Sequence, residues 1–295
     1  MKTALLFPGQ AAQFVGMGAK ITASSASAQA MMNKADEILG YKLSEIMSEG
    51  PVEKLTETIY TQPSVYLHSM LVYEKHKGAI APVAVAGHSL GEISACVAAG
   101  VMTFEDGLLL VRKRAEAMQR ACEQNPSTMA AVLGMDDEKV EAICAGIDDV
   151  VPANYNCPGQ LVISGSKEGI TAAIDKCKEA GAKRALEIAV GGAFHSPFMQ
   201  PAMEEFKEVI MSIKMNDAII PVYQNVDTKP HTTADDIRNN LISQVTSPVR
   251  WTSSINRMIN DGTEHFIEVG GRGKILLGML RKISREVGSE LWQEE

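Results

Sequence analysis

One segment of the sequence indicates how the chain folds: Val83-Ala84-Val85-Ala86-Gly87-His88-Ser89-Leu90-Gly91-Glu92. The apolar run that ends at Gly87 is typical of a buried strand, and the residues after Ser89 are typical of a helix. Gly87 to Gly91 fits G-x-S-x-G, the nucleophile elbow, in which a serine lies on a sharp strand-to-helix turn. Glycine at both flanking positions permits this strained turn, which presents the hydroxyl beside the helix N-terminus. Ser89 is therefore either a nucleophile or part of a plain strand–turn–helix connection.

The composition is that of an ordinary globular chain, with 295 residues, 45% of them hydrophobic and 22% charged. This length suffices for one large domain or two moderate ones. The net charge of −8 and the lack of a dense basic tract argue against nucleic-acid binding. No stretch approaches the roughly 20 apolar residues of a membrane span, and the run Ala4–Phe7 is too short for a signal peptide. The sequence predicts a cytoplasmic enzyme with no membrane partner.

The cysteines and histidines give no metal-binding pattern. The five cysteines are widely spaced and contain no C-x-x-C pair, so we interpret them as reduced thiols: Cys96, Cys122, Cys144, Cys157 and Cys177. His68 and His76 fall on one predicted helix, Ser64–Lys77, without a partner at metal-ligand spacing. We therefore expect no metal site.

Strands and helices alternate along the chain, which indicates an α/β fold. The elements between Met129 and Val190 follow the order βαββαβ, the split unit of ferredoxin-like domains. We predict a small inserted domain at residues 127–191 and a large α/β domain from residues 1–126 and 192–295. A ligand cleft would lie between them. The chain is predicted to close with a final strand, His265–Val269, and a helix, Lys274–Val287.

Arg114 stands out on the predicted helix Phe104–Cys122. Projected at about 100° per residue, it falls close to the apolar stripe, whereas the other cations of this helix fall on the opposite arc. A guanidinium there needs an anion or a wet cavity. Arg114 therefore binds an anionic ligand, pairs with an internal carboxylate, or reaches water past small neighbours.

Two loops carry further polar candidates. Gln10 follows the first strand, Thr3–Phe7, in a turn of small residues, at the place where an open α/β sheet positions ligand groups. It is either such a group or a solvent-exposed glutamine. His195 follows two glycines on the loop after the predicted small domain, and it is either a positioned base or an exposed histidine.

Six motifs in register give the chain a family resemblance. They are Phe7-Pro8-Gly9-Gln10, Gly87-His88-Ser89-Leu90-Gly91-Glu92, Val111-Arg112-Lys113-Arg114, Asn156-Cys157-Pro158-Gly159-Gln160, Ala193-Phe194-His195-Ser196 and Gln244…Pro248-Val249-Arg250-Trp251. In this order they resemble the malonyl-CoA:acyl carrier protein transacylases of dissociated fatty acid synthesis. One departure is Gly9-Gln10-Ala11-Ala12-Gln13, where the family often has G-Q-G-S-Q.

The resemblance implies an α/β-hydrolase-like large domain with a ferredoxin-like insert, and a malonyl-serine intermediate in a ping-pong transfer. It implies that Ser89 is the nucleophile, His195 its base and Gln244 the group that orients the histidine. It further implies oxyanion-hole N–H groups from Gln10 and Leu90 and a carboxylate-binding Arg114. Substrate contacts are also expected from four residues: Gln10, Leu90, Asn156 and Phe194.

The implied partners are malonyl-CoA and an acyl carrier protein, with no cofactor, no metal and a monomeric state. Because carrier proteins are acidic, a local basic patch is expected. The candidates are Lys274, Arg281 and Arg285 on one face of the last helix, or Lys183 and Arg184 on the insert. Three alternatives stay open: a polyketide acyltransferase, a serine thioesterase or esterase, and a non-catalytic subunit that binds carrier protein.

Overall fold

The computed structural model describes all residues from Met1 to Glu295. The strands are β1 (Thr3–Phe7), β2 (Ala84–Gly87), β3 (Ser127–Leu133), β4 (Val150–Cys157), β5 (Gln160–Ser166), β6 (Arg184–Ile188), β7 (Val222–Tyr223), β8 (Pro230–His231), β9 (His265–Val269) and β10 (Gly288–Trp292). The helices are α1 (Ala19–Ser24), α2 (Ala26–Leu39), α3 (Leu43–Glu49), α4 (Val52–Thr56), α5 (Thr58–His76), α6 (Gly91–Ala98), α7 (Phe104–Gln124), α8 (Asp137–Ala145), α9 (Lys167–Glu179), α10 (Gln200–Ser212), α11 (Ala234–Gln244), α12 (Trp251–Asn260) and α13 (Ile275–Ile283).

The larger sheet contains six strands in the order β10-β9-β1-β2-β7-β8. Five of them run parallel, and only β8 is antiparallel to its neighbour. The register of β1 against β2 sets Phe7 beside Gly87. Carboxyl ends of parallel strands meet at one edge of a sheet, where open α/β folds bind ligands. The loops after β1, β2 and β7 therefore come together.

Both faces of this sheet are buried, as a parallel sheet requires. Leu5 and Phe7 of β1 face the largest hydrophobic cluster, which includes apolar residues of α5, α6 and α7. Ala4 and Leu6 face a second cluster, built with α12 and α13. Alternate residues of one strand thus belong to different cores, which is the period of two expected for a strand.

The smaller sheet contains four antiparallel strands in the order β4-β5-β3-β6. One face packs against α8 and α9 around a separate cluster that includes Ile163 and Ile170. The other face contributes Met129 and Ala153 to the largest cluster. Backbone bonds join it to the rest of the molecule, because Tyr155 N donates to Val249 O and Val249 N donates to Ala153 O, at 2.9 and 2.8 Å.

The predicted α/β class is confirmed, and so are the strand before the elbow and the helix after it. The predicted bounds of β1 and β9 match the structure. No helix has both the length and the apolar character needed to cross a membrane.

The start of α5 differs from the prediction. The helix begins at Thr58, six residues before Ser64, and Pro63 lies inside it. A proline cannot donate the bond that the carbonyl four residues earlier would accept. In the structure the hydroxyl of Tyr41 donates to that carbonyl, Ile59 O, at 3.4 Å. Tertiary packing therefore replaces the missing bond.

The end of the chain also differs. α13 stops at Ile283, and a further strand, β10, pairs with β9, so His265–Val269 is not the final strand. Lys274 precedes α13 in a left-handed conformation, and Arg285 lies beyond its end. The predicted basic face of Lys274, Arg281 and Arg285 on one helix is therefore wrong.

Candidate active site

The elbow carries Ser89 in a left-handed conformation, with φ of 52°. A Cβ on Gly87 would lie 1.9 Å from the backbone carbon of Gly91, and a Cβ on Gly91 would lie 2.1 Å from Phe7 O. Both positions therefore require glycine. Asn225 fastens the turn, because its Oδ1 accepts from Ser89 N and its Nδ2 donates to Gly87 O, each at 2.8 Å.

His195 reaches the serine from the loop after β6. Its Nε2 lies 2.7 Å from Ser89 Oγ, and its Nδ1 lies 2.9 Å from the backbone oxygen of Gln244. A carbonyl can only accept, so Nδ1 carries the proton and Nε2 is left to accept the serine proton. Like Ser89, His195 has a positive φ, at 56°. Strained backbone of this kind clusters at functional sites.

The environment of His195 opposes a positive charge on its ring. Burial and, to a lesser extent, the charge of Arg114 lower the pKa of His195 to about 3. The imidazole is 3% exposed and stays neutral at pH 7. It can therefore act as a base from its resting state.

Arg114 projects from α7 into the same site. Its Nη2 donates to Ser89 Oγ at 3.1 Å and to Gln244 Oε1 at 3.0 Å, and its Nη1 donates to Gln62 Oε1 at 2.8 Å. The side chain is 1% exposed and has no carboxylate within salt-bridge distance. Burial lowers the pKa of Arg114 to about 10, so the guanidinium remains charged at pH 7. It neither reaches bulk water nor contacts an internal carboxylate.

The side chain of Gln244 lies under the elbow and does not contact the histidine. Its Nε2 donates to Ser89 O at 3.0 Å and to a carboxylate oxygen of Glu92. Among the atoms of Gln244, the one that hydrogen-bonds to His195 is the backbone oxygen. Glu92 is fully buried, and burial raises the pKa of its carboxyl to about 8. The Gln244 amide thus separates a buried cation from a buried acid.

Gln10 and Leu90 lie beside the serine on the loops after β1 and β2. Neither backbone N–H donates to a protein acceptor, although Leu90 is fully buried. The Gln10 side chain is 3.4 Å from Gln62 Nε2. Two N–H groups at one sheet edge are therefore available to an oxygen of a ligand.

The other two predicted substrate contacts have partners within the protein. Asn156 of β4 accepts from His88 Nε2 through Oδ1 at 2.8 Å, and thereby joins the smaller sheet to the elbow. Phe194 is buried in the largest hydrophobic cluster, and its carbonyl accepts from Ser164 Oγ at 2.6 Å.

Sequence reasoning missed three polar residues of the site. Gln62 lies on α5 and holds Arg114, Asn225 follows β7 and holds the elbow, and Glu92 supports both Gln244 and Asn225. Asn225 had a signal, because it follows a strand of the parallel sheet at the edge where Ser89 lies. Gln62 gave none, since a polar residue on a helix is usually exposed. Glu92 ends the elbow motif, but the motif does not show which partners its carboxylate meets. The chain has no cluster of three or more metal-ligating side chains.

Comparison with known proteins places the whole chain in one family. Residues 4–278 match the family model described as acyl transferase domain. The malonyl CoA-acyl carrier protein transacylase of Bacillus subtilis is 44% identical, over 97% of this chain and 92% of that protein. The enzyme of the same name from Staphylococcus aureus is 41% identical, over 97% and 94%.

Solved structures agree with these sequence matches. The malonyl CoA-acyl carrier protein transacylase of Coxiella burnetii superposes with a TM-score of 0.95 at 34% identity, covering 99% of this chain and 94% of the other. A malonyl-transacylase in complex with a type II PKS acyl-carrier protein gives 0.94 at 35% identity, covering 99% and 96%. The chain therefore belongs to the acyl transferase family and, within it, to the malonyl-CoA:acyl carrier protein transacylases.

Proposed function

We propose that the chain moves a malonyl group from malonyl-CoA to the phosphopantetheine thiol of an acyl carrier protein and so supplies fatty acid synthesis. The observation that carries this proposal is Arg114, a buried cation without an anion, beside the Ser89–His195 pair. A guanidinium fork matches a carboxylate, so it selects an acyl group with a free acid end.

The reaction follows from the geometry of the pair. Ser89 Oγ attacks the thioester carbon while its proton passes to His195 Nε2. The N–H groups of Gln10 and Leu90 bind the oxyanion, and His195 then returns the proton to the departing CoA thiolate. The carrier thiol repeats these steps on the malonyl ester, which completes a ping-pong cycle. The chemistry needs only the two substrates, without a metal or cofactor.

We propose the finer description of the fold as well. Residues 1–126 and 192–295 would form an α/β-hydrolase-like domain, and residues 127–191 a ferredoxin-like insert. The strand order β4-β5-β3-β6, with two helices on one face, supports the insert. The position of Ser89 between β2 and α6 supports the hydrolase-like assignment. Asn156 and Phe194 would shape the cleft through His88 and the His195 loop.

The acidic carrier protein needs a basic surface on an acidic enzyme. Lys183 and Arg184 are exposed at the start of β6, and we propose that they contribute to docking. The monomeric state and the cytoplasmic location stay predictions. A polyketide carrier is the second candidate partner, because a related transacylase has been solved with a type II PKS acyl-carrier protein.

Intact mass after brief mixing with malonyl-CoA tests the function. We expect a malonyl adduct on the wild type, none on Ser89→Ala, and a far weaker adduct from acetyl-CoA. The adduct should then disappear on addition of a phosphopantetheinylated carrier protein. Free CoA without an adduct would indicate a thioesterase, and neither product would indicate a non-catalytic subunit. Parallel transfer to fatty acid and polyketide carriers distinguishes the two pathways.

A further inference from the structure

The hydrogen bonds of Arg114 within the protein include the nucleophile itself. Its Nη2 donates to Ser89 Oγ at 3.1 Å, while its remaining contacts are the uncharged oxygens of Gln62 and Gln244. Glu92 lies behind the Gln244 amide, which donates to it. The cation is therefore held by neutral acceptors, and one of these acceptors is the atom that must attack the thioester.

Both partners of the reacting pair are affected by this contact. An N–H directed at Ser89 Oγ occupies one of its two lone pairs and draws electron density from the oxygen that must attack. The same cation opposes a second positive charge on His195, which must appear when the serine proton is transferred. The titratable or charged groups that influence His195 are Arg114 from α7 and His88 from the elbow turn, and His88 is itself buried with a lowered pKa.

We propose that Arg114 restrains Ser89 while the site holds no carboxylate, and that the malonyl carboxylate releases this restraint. This inference rests on the proposed function. A carboxylate is a stronger acceptor than a hydroxyl, so it draws both Nη atoms toward itself. Its negative charge then compensates the guanidinium, and His195 can hold the serine proton.

The released step is balanced in protons and electrons. The Oγ–H proton moves to His195 Nε2, the Oγ–carbon bond forms, and the carbonyl π electrons move to the oxygen. When the carbonyl re-forms, the carbon–sulfur bond breaks and the thiolate takes the proton from Nε2. A neutral acyl donor cannot release Arg114, so selection against acetyl groups acts on the rate of this step in addition to binding.

Divided-substrate kinetics tests this inference. Acetyl-CoA supplies the thioester, and sodium formate supplies the missing carboxylate at constant ionic strength, maintained with sodium chloride. We expect formate to accelerate acetylation of Ser89 saturably by roughly tenfold, the factor of about one charge-assisted hydrogen bond. Arg114→Ala should acetylate at the accelerated rate without formate and should not respond to it.

Arg120→Ala is the matched control, because Arg120 lies on the same helix but pairs with Glu205 at the surface. It should respond to formate as the wild type does. If formate left the acetylation rate of the wild type unchanged, or lowered it, the inference would be overturned by the wild type alone. A wild type that takes up malonyl but ignores formate refutes only this inference, whereas one that takes up no malonyl refutes the proposed function.

Discussion

The group that orients His195 is the backbone carbonyl of Gln244. A substitution of the Gln244 side chain therefore leaves this hydrogen bond in place. Gln244→Ala removes the contacts to Arg114 and Glu92 but keeps the carbonyl. We expect acetylation of Ser89 to fall less than about tenfold in Gln244→Ala, and about 100-fold or more in His195→Ala. Rapid-quench measurement of CoA release checks both. Equal losses would show that the amide side chain is what orients the base.

The pH dependence of acylation also depends on His195. The base must be neutral, and burial and Arg114 lower the pKa of His195, so the rate should persist well below pH 6.5, the ordinary histidine value. Arg114→Ala removes one cause and leaves burial, so its acid limb should move upward. The measurement is kcat/KM for acetyl-CoA, a donor without a titrating carboxyl. An acid limb at 6.5 in the wild type would contradict this assignment.

At the scale of elements, two glycines should respond oppositely to alanine. Gly91→Ala brings a Cβ to 2.1 Å from Phe7 O, whereas Gly278 of α13 has open space around it. We expect Gly91→Ala to reduce the free energy of unfolding by about 3 kcal/mol or more, because the backbone of β1 cannot move away without breaking the sheet. Gly278→Ala should gain about 0.5–1 kcal/mol, since alanine loses less entropy in a helix.

Urea denaturation of the two variants measures both effects. If Gly91→Ala were as stable as the wild type, the elbow would tolerate a side chain at this position. That result would contradict the close approach of α6 to β1.

Several elements were predictable from the sequence because their local pattern and their tertiary setting agree. β2 and β9 have the residue patterns and the end signals of buried strands. β10 was missed because Gly288-Ser289-Glu290-Leu291-Trp292 has little strand character, and pairing with β9 supplies what the sequence lacks. The start of α5 was misplaced because Pro63 is normally a boundary and here lies inside.

The site shows the same limit. The motifs indicated Ser89, His195 and Arg114 as candidates. In the structure both His195 and Arg114 lie within hydrogen-bond distance of Ser89 Oγ. The sequence could not predict that Gln244 contacts His195 through its backbone oxygen, because a residue type does not reveal which of its atoms faces a partner. Gln62 lies on a helix distant in sequence from Arg114, and Glu92 meets Gln244 from another distant helix, so only the assembled fold shows these contacts.

At the scale of the whole molecule, Glu294 joins distant segments. Its carboxylate accepts from the N–H groups of Gly18, Lys20 and Ile21 at the start of α1, and from His68 Nε2 of α5 at 2.8 Å. Burial alone would raise the pKa of Glu294, but these hydrogen bonds and the charge of His68 together outweigh it and lower the pKa to about 2. A lowered carboxyl pKa stabilises the fold above the ordinary value of about 4.5, and the effect is lost as pH falls toward 2.

Glu294→Gln should therefore reduce the free energy of unfolding by about 2 kcal/mol at pH 7, and by progressively less as the pH falls below 4.5. Urea denaturation at pH 7 and pH 3 measures the difference. Glu295→Gln is the control, because its partner, Lys20, is exposed and an exposed ion pair contributes little to stability. A Glu294 deficit that does not change with pH would mean that its charge is not what joins these segments.

Ser89 has a left-handed backbone conformation, which is unfavourable for any residue with a side chain. The residue that the reaction requires therefore lowers the stability of the fold. Among inactive replacements, glycine should be more stable than alanine there by about 1 kcal/mol, the reverse of their usual order, because only glycine adopts this φ without strain. The molecule would therefore gain stability from a residue that abolishes its chemistry. A relative that had lost the reaction but kept the fold would be expected to drift toward glycine at this position.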